Sequence, residues 1–126
     1  MERAHTVTPG EWNIMELLWE SPRTLMELVA ALDEKMGWSK STVTTMVRRM
    51  EEKSLISYEQ EGRTKLFRAA VLREDVVAAE TDSLLTRAYR GSARLLMNAL
   101  VSQHQLTKAD IEELYAMLQQ GEEEGK

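Results

Sequence analysis

Trp38-Ser39-Lys40-Ser41-Thr42-Val43-Thr44-Thr45-Met46-Val47-Arg48-Arg49-Met50 is the stretch that decides the fold, because its two faces need different surroundings. As a helix, it carries an apolar stripe at intervals of three and four residues: Val43, Met46, Val47 and Met50. At about 100° per residue, the opposite side carries Ser41, Thr45 and Arg48, with Thr42 and Thr44 on the flanks. Short hydroxyls and a forked guanidinium suit base edges and phosphates, so the pattern is typical of a recognition helix in the major groove of DNA.

An ordinary surface helix is also compatible with this stretch, since Ser and Thr favour helix N-termini for capping reasons alone. The preceding sequence favours the recognition helix. Thr8-Pro9-Gly10-Glu11 has the spacing of a capping box with Pro at the first helical position, and it predicts a first, largely buried helix. Thr24-Leu25-Met26-Glu27 repeats the spacing and predicts a second helix that ends near Gly37. Three short helices with the third exposed fit a helix-turn-helix arrangement.

A β-hairpin is predicted after Ser54, where the period of the apolar residues changes. Residues 55–59 and 65–71 are the two strands, and the Gly-containing segment 60–64 is the turn. Arg63 at the tip and Lys65 just beyond it could reach the DNA backbone or the minor groove, unless the turn is simply solvated. Three helices and a hairpin form a winged helix-turn-helix, so residues 1–71 are predicted to be a DNA-binding domain.

Three amphipathic helices are predicted from about Arg73 to residue 120, with breaks at Gly91-Ser92 and before Thr107. They have no sheet to pack against, so residues 72–120 are interpreted as a homodimerisation region. An extension folded back on its own domain is the competing interpretation. The residues assigned to dimerisation are Leu84, Leu85, Tyr89, Leu95, Leu96, Leu100, Ile111, Leu114, Tyr115 and Leu118. The tail, residues 121–126, is predicted to be disordered. The fold class is therefore mainly α with a small β-hairpin wing.

The composition and the charge of the chain limit the class of protein that these predictions can describe. The chain has 126 residues, 43% of them hydrophobic and 29% charged, without cysteine or a long apolar run, and a cytoplasmic protein is expected. The net charge of -5, taken as a total, argues against a nucleic-acid partner, but the distribution of charge along the chain matters more. Residues 1–70 hold ten Lys/Arg against eleven Asp/Glu, so most of the acidity lies in the second half. The cations near the third helix and the hairpin are Lys40, Arg48, Arg49, Arg63, Lys65 and Arg68.

An enzyme is the main rival of another class, and the sequence gives it little support. His5 and His104 stand in no triad or metal-binding spacing, and no Gly-rich phosphate loop is present. The paired carboxylates at 51–52 and 112–113 are typical of solvated helix faces. We therefore predict no catalytic residues, no metal and no cofactor. Two further hypotheses are compatible with a winged helix: a module that docks on another protein, and a regulator released by a small ligand bound between the two regions.

The chain resembles the BlaI/MecI family of penicillinase (β-lactamase) repressors from residue 8 to about residue 120. The resemblance rests on an ordered set of motifs. They are Glu11-Trp12-x-Ile14-Met15-x-x-Leu18-Trp19, Trp38-Ser39-x-x-Thr42-Val43-x-Thr45, Glu52-Lys53, Gly62-Arg63 and Ile111-x-x-Leu114-Tyr115. It implies a dimeric winged-helix repressor that binds an inverted repeat in double-stranded DNA. It also implies release by cleavage in the dimerisation region, triggered by a membrane-bound sensor with a zinc-protease domain that responds to β-lactam.

Site residues follow from the resemblance position by position. The third helix would contact DNA through Ser39, Lys40, Ser41, Thr42, Thr45 and Arg48, and the wing through Arg63. Thr44 is added from the helical pattern and Lys65 from the hairpin. Family members are cut between Asn and Phe in the penultimate helix, and the nearest match here is Asn98-Ala99.

The chain departs from the family at three points. Ala99 replaces the Phe of the cleaved bond, and one residue more separates Asn98 from Gln105-Leu106. Ser54 stands where the family usually has the Gly that ends the third helix, which affects that cap. Copper-responsive relatives carry a carboxy-terminal cysteine cluster, and the absence of Cys excludes that variant.

Overall fold

A computed structural model describes residues 6–125, with the side chains described up to residue 121. The elements in this range are α1 (Pro9–Glu20), β1 (Arg23–Thr24), α2 (Leu25–Met36), α3 (Lys40–Glu52), β2 (Ile56–Glu61), β3 (Thr64–Ala69), α4 (Arg73–Tyr89), α5 (Ala93–Ser102) and α6 (Lys108–Gly125). Among the described residues, no helix has the length and apolar character needed to cross a membrane. The mainly helical fold with a small sheet confirms the predicted class.

The first two helices begin where short-range hydrogen bonds fix them. At α1, the Thr8 hydroxyl accepts from the Glu11 N–H at 3.2 Å, and the Glu11 carboxylate accepts from the Thr8 N–H at 3.0 Å. Thr24 and Glu27 make the same reciprocal pair at the start of α2. Two of the orphan N–H groups at each helix start are thereby satisfied, so both predicted capping boxes are confirmed.

The sheet is antiparallel, with strand order β1-β3-β2. The hairpin of β2 and β3, hereafter the wing, pairs Tyr58 with Phe67 and Glu61 with Thr64, which leaves a two-residue turn of Gly62 and Arg63. Gly62 has a φ of 63°, a conformation that an L side chain disfavours and that tight hairpin turns need. The predicted hairpin is confirmed, but its turn is two residues long rather than the five residues (60–64) that the sequence indicated, because Gln60 pairs with Lys65 and Glu61 with Thr64 in the sheet. Strand β1 was not predicted, since two residues carry no periodic pattern.

One apolar core joins α1, α2, α3 and the start of α4 to the sheet. Its buried members are Val7, Ile14, Met15, Leu18, Leu28, Leu32, Val43, Val47, Met50, Leu55, Ile56, Phe67 and Val76. Trp12 and Trp19 pack against it and meet edge to face, with ring centroids 5.6 Å apart. Both tryptophans are therefore structural residues, and helix α3 enters the core through the predicted apolar stripe.

The start of α4 belongs to the core of the first unit. Val76 is 1% exposed, and Trp19 Nε1 donates to the Val71 carbonyl at 2.9 Å. Arg73 pairs with the Glu16 carboxylate at 3.0 Å. The chain divides into two compact units between Thr81 and Asp82, so the division falls inside α4 and later than the predicted boundary at residue 71.

The second unit contains the end of α4 with α5 and α6. Thr107 caps α6: its hydroxyl accepts from the Asp110 N–H, and its N–H donates to Asp110 Oδ2, both at 3.0 Å. Helix α6 continues to Gly125, through most of the stretch predicted to be disordered. The acidic residues there are good helix formers, and Gly121 does not interrupt the helix. Residue 126 lies outside the described residues.

Candidate nucleic-acid interface

Helix α3 is held by its inner face. Val43, Val47 and Met50 are buried, and Met46 packs against the core from the edge of the stripe. Helix α1 comes close at Gly10, where an added Cβ would stand 3.2 Å from Met46 Cε. The core therefore fixes the rotation of α3 about its axis, and with it the residues that face outward.

The amino end of α3 carries a connected set of hydroxyls. Ser39 caps the helix by accepting from the Thr42 N–H at 3.2 Å, and its hydroxyl donates to Thr42 Oγ1 at 3.1 Å. Ser41 Oγ lies 3.3 Å from Ser39 Oγ. Thr44 donates its hydroxyl to the Lys40 carbonyl at 2.8 Å, which fixes its rotamer and keeps an oxygen lone pair available. The exposed members of this set form a compact polar surface.

Exposure along α3 follows the predicted pattern with two differences. Ser41, Thr42 and Arg48 are exposed, whereas Thr44 and Thr45 are partly buried, Thr45 although helical periodicity places it on the far side. Within the part of the chain that the structure describes, the side chains of Arg48 and Arg63 make no hydrogen bond or ion pair. Both guanidinium groups are therefore free to bind an external acceptor.

Lys53 anchors the carboxyl end of α3, a role that the sequence did not reveal. Its Nζ lies 2.8 Å from Glu11 Oε1, and that carboxylate is buried. A buried carboxylate needs a partner charge, so the pair ties the end of α3 to the start of α1. Ser54 follows with a φ of 65°, the left-handed conformation usually given to Gly, so the cap is kept at a steric cost.

The wing holds its cations in different ways. Arg63 lies exposed in the turn, and Lys65 Nζ sits 4.3 Å from the centroid of the Tyr58 ring, an arrangement that attracts a cation to the ring face. Arg68 is paired with Glu59 at 3.0 Å, so this member of the predicted basic group is already neutralised. The available cations of the wing are thus Arg63 and Lys65.

A groove separates the wing from α3, and we refer to it as the wing groove. It has a volume of about 780 Å³ and lies between the first turn of α2, the second half of α3 and the wing. Apolar side chains, including Leu25, Val47 and Phe67, line its interior. Arg48, Arg63 and Lys65 also line it, which places three of the predicted DNA-binding cations around one opening.

The second unit presents the residues assigned to dimerisation. No side chain described there is buried. Leu85, Tyr89, Leu96, Leu100 and Leu114 are partly buried. Leu84, Leu95, Ile111, Tyr115 and Leu118 are exposed, and Leu118 reaches 68%. Asn98, at the predicted cleavage bond, is exposed on α5, and Ala99 is partly buried.

Residues with metal-binding chemistry do not converge among the described residues, where no group of three or more His, Asp or Glu could hold an ion. His104 is exposed at the end of α5, with a φ of 60°. His5 lies outside the described residues.

These features define a winged-helix transcription regulator that binds DNA. The fold matches the solution structure of the DNA-binding domain of the repressor BlaI, with a TM-score of 0.54 and 24% identity over 60% of this chain and 93% of that domain. The model of the penicillinase repressor family matches residues 7–120, and the chain belongs to this family. The resemblance seen in the sequence is thereby confirmed, and the protein is a DNA-binding transcriptional repressor.

Full-length relatives agree with this assignment. The penicillinase repressor of Bacillus licheniformis is 25% identical over 121 residues, which cover 95% of this chain and 94% of that protein. The methicillin resistance regulatory protein MecI of Staphylococcus aureus (strain N315) is 20% identical over 117 residues, which cover 92% of this chain and 95% of that protein. The similarity extends through both compact units.

Proposed function

We propose that the chain represses transcription as a homodimer that binds an inverted-repeat operator through α3 and the wing. The observation that carries the proposal is the division of α3 into two faces. Val43, Val47 and Met50 are buried on one side, while hydroxyls and the unpaired Arg48 are exposed on the other. A helix anchored in this way can enter a major groove without losing its own packing.

The contacts would differ along the surface. Ser39, Lys40, Ser41 and Thr42 lie at the amino end of α3, where short side chains and helix N–H groups can approach phosphates and base edges closely. Arg48 can donate two hydrogen bonds to guanine, with Thr44 and Thr45 beside it. Arg63 and Lys65 would bind the backbone beside the groove, which sets position rather than sequence preference.

Dimerisation would occur through the second unit. Several of its large apolar side chains are exposed, among them Ile111, Tyr115 and Leu118, and exposed apolar surface that gathers on one unit is typical of an interface. A second copy would cover the same residues on both partners through a two-fold axis. The two recognition helices would then face half-sites about one helical turn apart, as an inverted repeat requires.

Release would follow cleavage in the second unit by a sensor protease that responds to a β-lactam-type signal. The bond Asn98–Ala99 lies in α5, the penultimate helix, and Asn98 is exposed. Cleavage there would separate α6 from the rest of the interface and weaken the dimer. The expected result in cells of the source organism exposed to a β-lactam is a fragment that ends at Asn98, detected by mass spectrometry. Persistence of the intact chain during derepression would contradict this mechanism.

Operator binding is tested by selection of random duplex DNA with the full-length protein, followed by a salt titration of the enriched sequence. The expected result is an inverted repeat whose affinity for the protein falls steeply as salt rises, because several phosphates are neutralised.

Arg48→Ala should weaken operator binding by about tenfold to a hundredfold, the range for loss of one bidentate base contact. Lys35→Ala removes the same charge from an exposed site on α2 and should change affinity less than about twofold. Equal effects of the two variants would show that Arg48 contributes only charge.

A further inference from the structure

The wing groove has an apolar interior that phosphate recognition does not require. Val47 and Phe67 are core residues whose edges reach the groove, and Leu25 is partly buried beside them. Met26, in the first turn of α2, is 58% exposed and lines the groove. The apolar surface in contact with water there belongs mainly to Met26 and Leu25, and an apolar occupant of the groove would lower the free energy by removing that surface from water.

The charge at the opening defines the chemistry of that occupant. Arg48, Arg63 and Lys65 line the groove, against a single carboxylate, Glu51, among its lining residues. Arg48 and Arg63 are unpaired within the described residues, so an anion bound there would displace no existing ion pair. An apolar body and a negative group are therefore both accommodated within one cavity.

We propose that the wing groove is a binding site for a small amphipathic anion of the aromatic carboxylate class. The ring would pack against Val47, Phe67 and Met26, and the carboxylate would accept hydrogen bonds from both Arg48 and Arg63. A volume of about 780 Å³ is in the range of small-molecule sites and far below what a folded protein partner would fill. The bound anion would occupy the cations assigned to DNA and so release the operator, a consequence that rests on the proposed function.

Binding is tested without DNA, on the full-length chain labelled with ¹³C at its methionine methyl groups. The probe is naphthalene-2-carboxylate, and Met26→Leu assigns the Met26 signal. We expect the Met26 methyl resonance to shift saturably while Met36, an exposed methionine at the other end of α2, stays in place. Equal shifts at both, shifts confined to Met117 in the second unit, or no shift would overturn the proposal.

Charge recognition is tested with a matched ligand and a matched variant. The neutral analogue 2-naphthalenemethanol keeps the ring and should bind at least about tenfold more weakly, since a charge-assisted hydrogen bond is lost. Arg48→Gln should weaken naphthalene-2-carboxylate by about the same factor, whereas Lys35→Gln should leave its affinity unchanged. If the neutral analogue binds as tightly as the carboxylate, the groove is an apolar pocket and the assigned ligand class is wrong.

Competition is measured separately, by titrating naphthalene-2-carboxylate into a complex with the selected operator at constant ionic strength. The expected result is a loss of DNA affinity in proportion to occupancy of the groove. Simultaneous binding of both ligands would overturn the regulatory part of the proposal. Failure to bind any duplex, with the Met26 shift intact, would refute the proposed operator function and leave the ligand site standing.

Discussion

The two compact units differ in how far their apolar side chains are buried. In the first unit, thirteen apolar residues between Val7 and Val76 are buried in one cluster that spans helices and strands. In the second, no described side chain is buried, and Tyr115 and Leu118 are more than 60% exposed. The sequences of both units are amphipathic, so the difference lies in what each can fold against.

This contrast separates a unit that completes its own core from one that does not. A core that closes on itself supplies most of the hydrophobic stabilisation of a small domain. Helices α5 and α6 expose several large apolar side chains and fully bury none that the structure describes, which is unfavourable for an isolated domain and ordinary for half of an interface. The first unit is therefore suited to hold a fixed binding surface, and the second to depend on a partner.

The largest expected effect comes from removing the second unit. A chain ending after Thr81 keeps Val76 and hence the whole buried cluster, so it should fold and remain monomeric. Its affinity for a full inverted repeat should fall by about a hundredfold or more, because two linked binding modules become independent. Sedimentation and DNA titration of both chains measure this. A truncated chain that binds the full repeat as tightly as the intact protein would refute the dimer proposal.

Single leucine substitutions, one in each unit, should show the same contrast with a smaller effect. Leu32→Ala in the first unit should lower the free energy of unfolding by about 2–5 kcal/mol, since Leu32 is fully buried. Leu118→Ala should change it by less than about 0.5 kcal/mol while weakening self-association. All three tryptophans, at positions 12, 19 and 38, lie in the first unit, so their fluorescence during urea unfolding follows that unit alone. A large fluorescence-detected effect of Leu118→Ala would mean that the units are stabilised together.

Short-range features of the fold were accessible from the sequence. The capping boxes at Thr8 and Thr24 each involve residues three apart, and the turn at Gly62 is fixed within the hairpin. The apolar stripe of α3 predicted its burial because helical geometry alone sets which residues share a face. These signals need no knowledge of the tertiary structure.

Long-range features were not accessible in the same way. Lys53 and Glu11 are 42 positions apart, and nothing in either segment marks them as partners. The wing groove is lined by residues from α2, α3 and the wing. The sequence could not indicate that Met26 lines a groove, because the groove exists only where the fold brings those three elements together. The partial burial of Thr45 likewise depends on packing that helical periodicity omits.

The segments that follow two helices allow a smaller test of the contrast, because in each unit a non-glycine residue with positive φ stands two residues after a helix end. Ser54 after α3 has a φ of 65°, and His104 after α5 has a φ of 60°. Ser54→Gly should stabilise the first unit by about 1 kcal/mol, since Gly removes the steric cost of this conformation. His104→Gly should leave the tryptophan-detected transition unchanged. Destabilisation by Ser54→Gly would mean that the Ser side chain contributes more than its backbone costs.

The smallest effect concerns Asp110, whose stabilisation of α6 is local and should not require a partner subunit. The Thr107 backbone N–H donates to this carboxylate and, with the Thr107 hydroxyl, holds the pKa of Asp110 below its ordinary value. A carboxyl with a lowered pKa in the folded state stabilises that state at pH above its unfolded value, and the contribution is lost as pH falls through the folded value. NMR titration of the Asp110 carboxyl carbon should give this lowered pKa, and Thr107→Ala should raise it partway. Disruption of self-association by Leu118→Glu should leave the pKa of Asp110 unchanged, because the cap bonds join residues only three apart in the sequence. A pKa that returned to its ordinary value in that variant would show that even this cap depends on dimerisation.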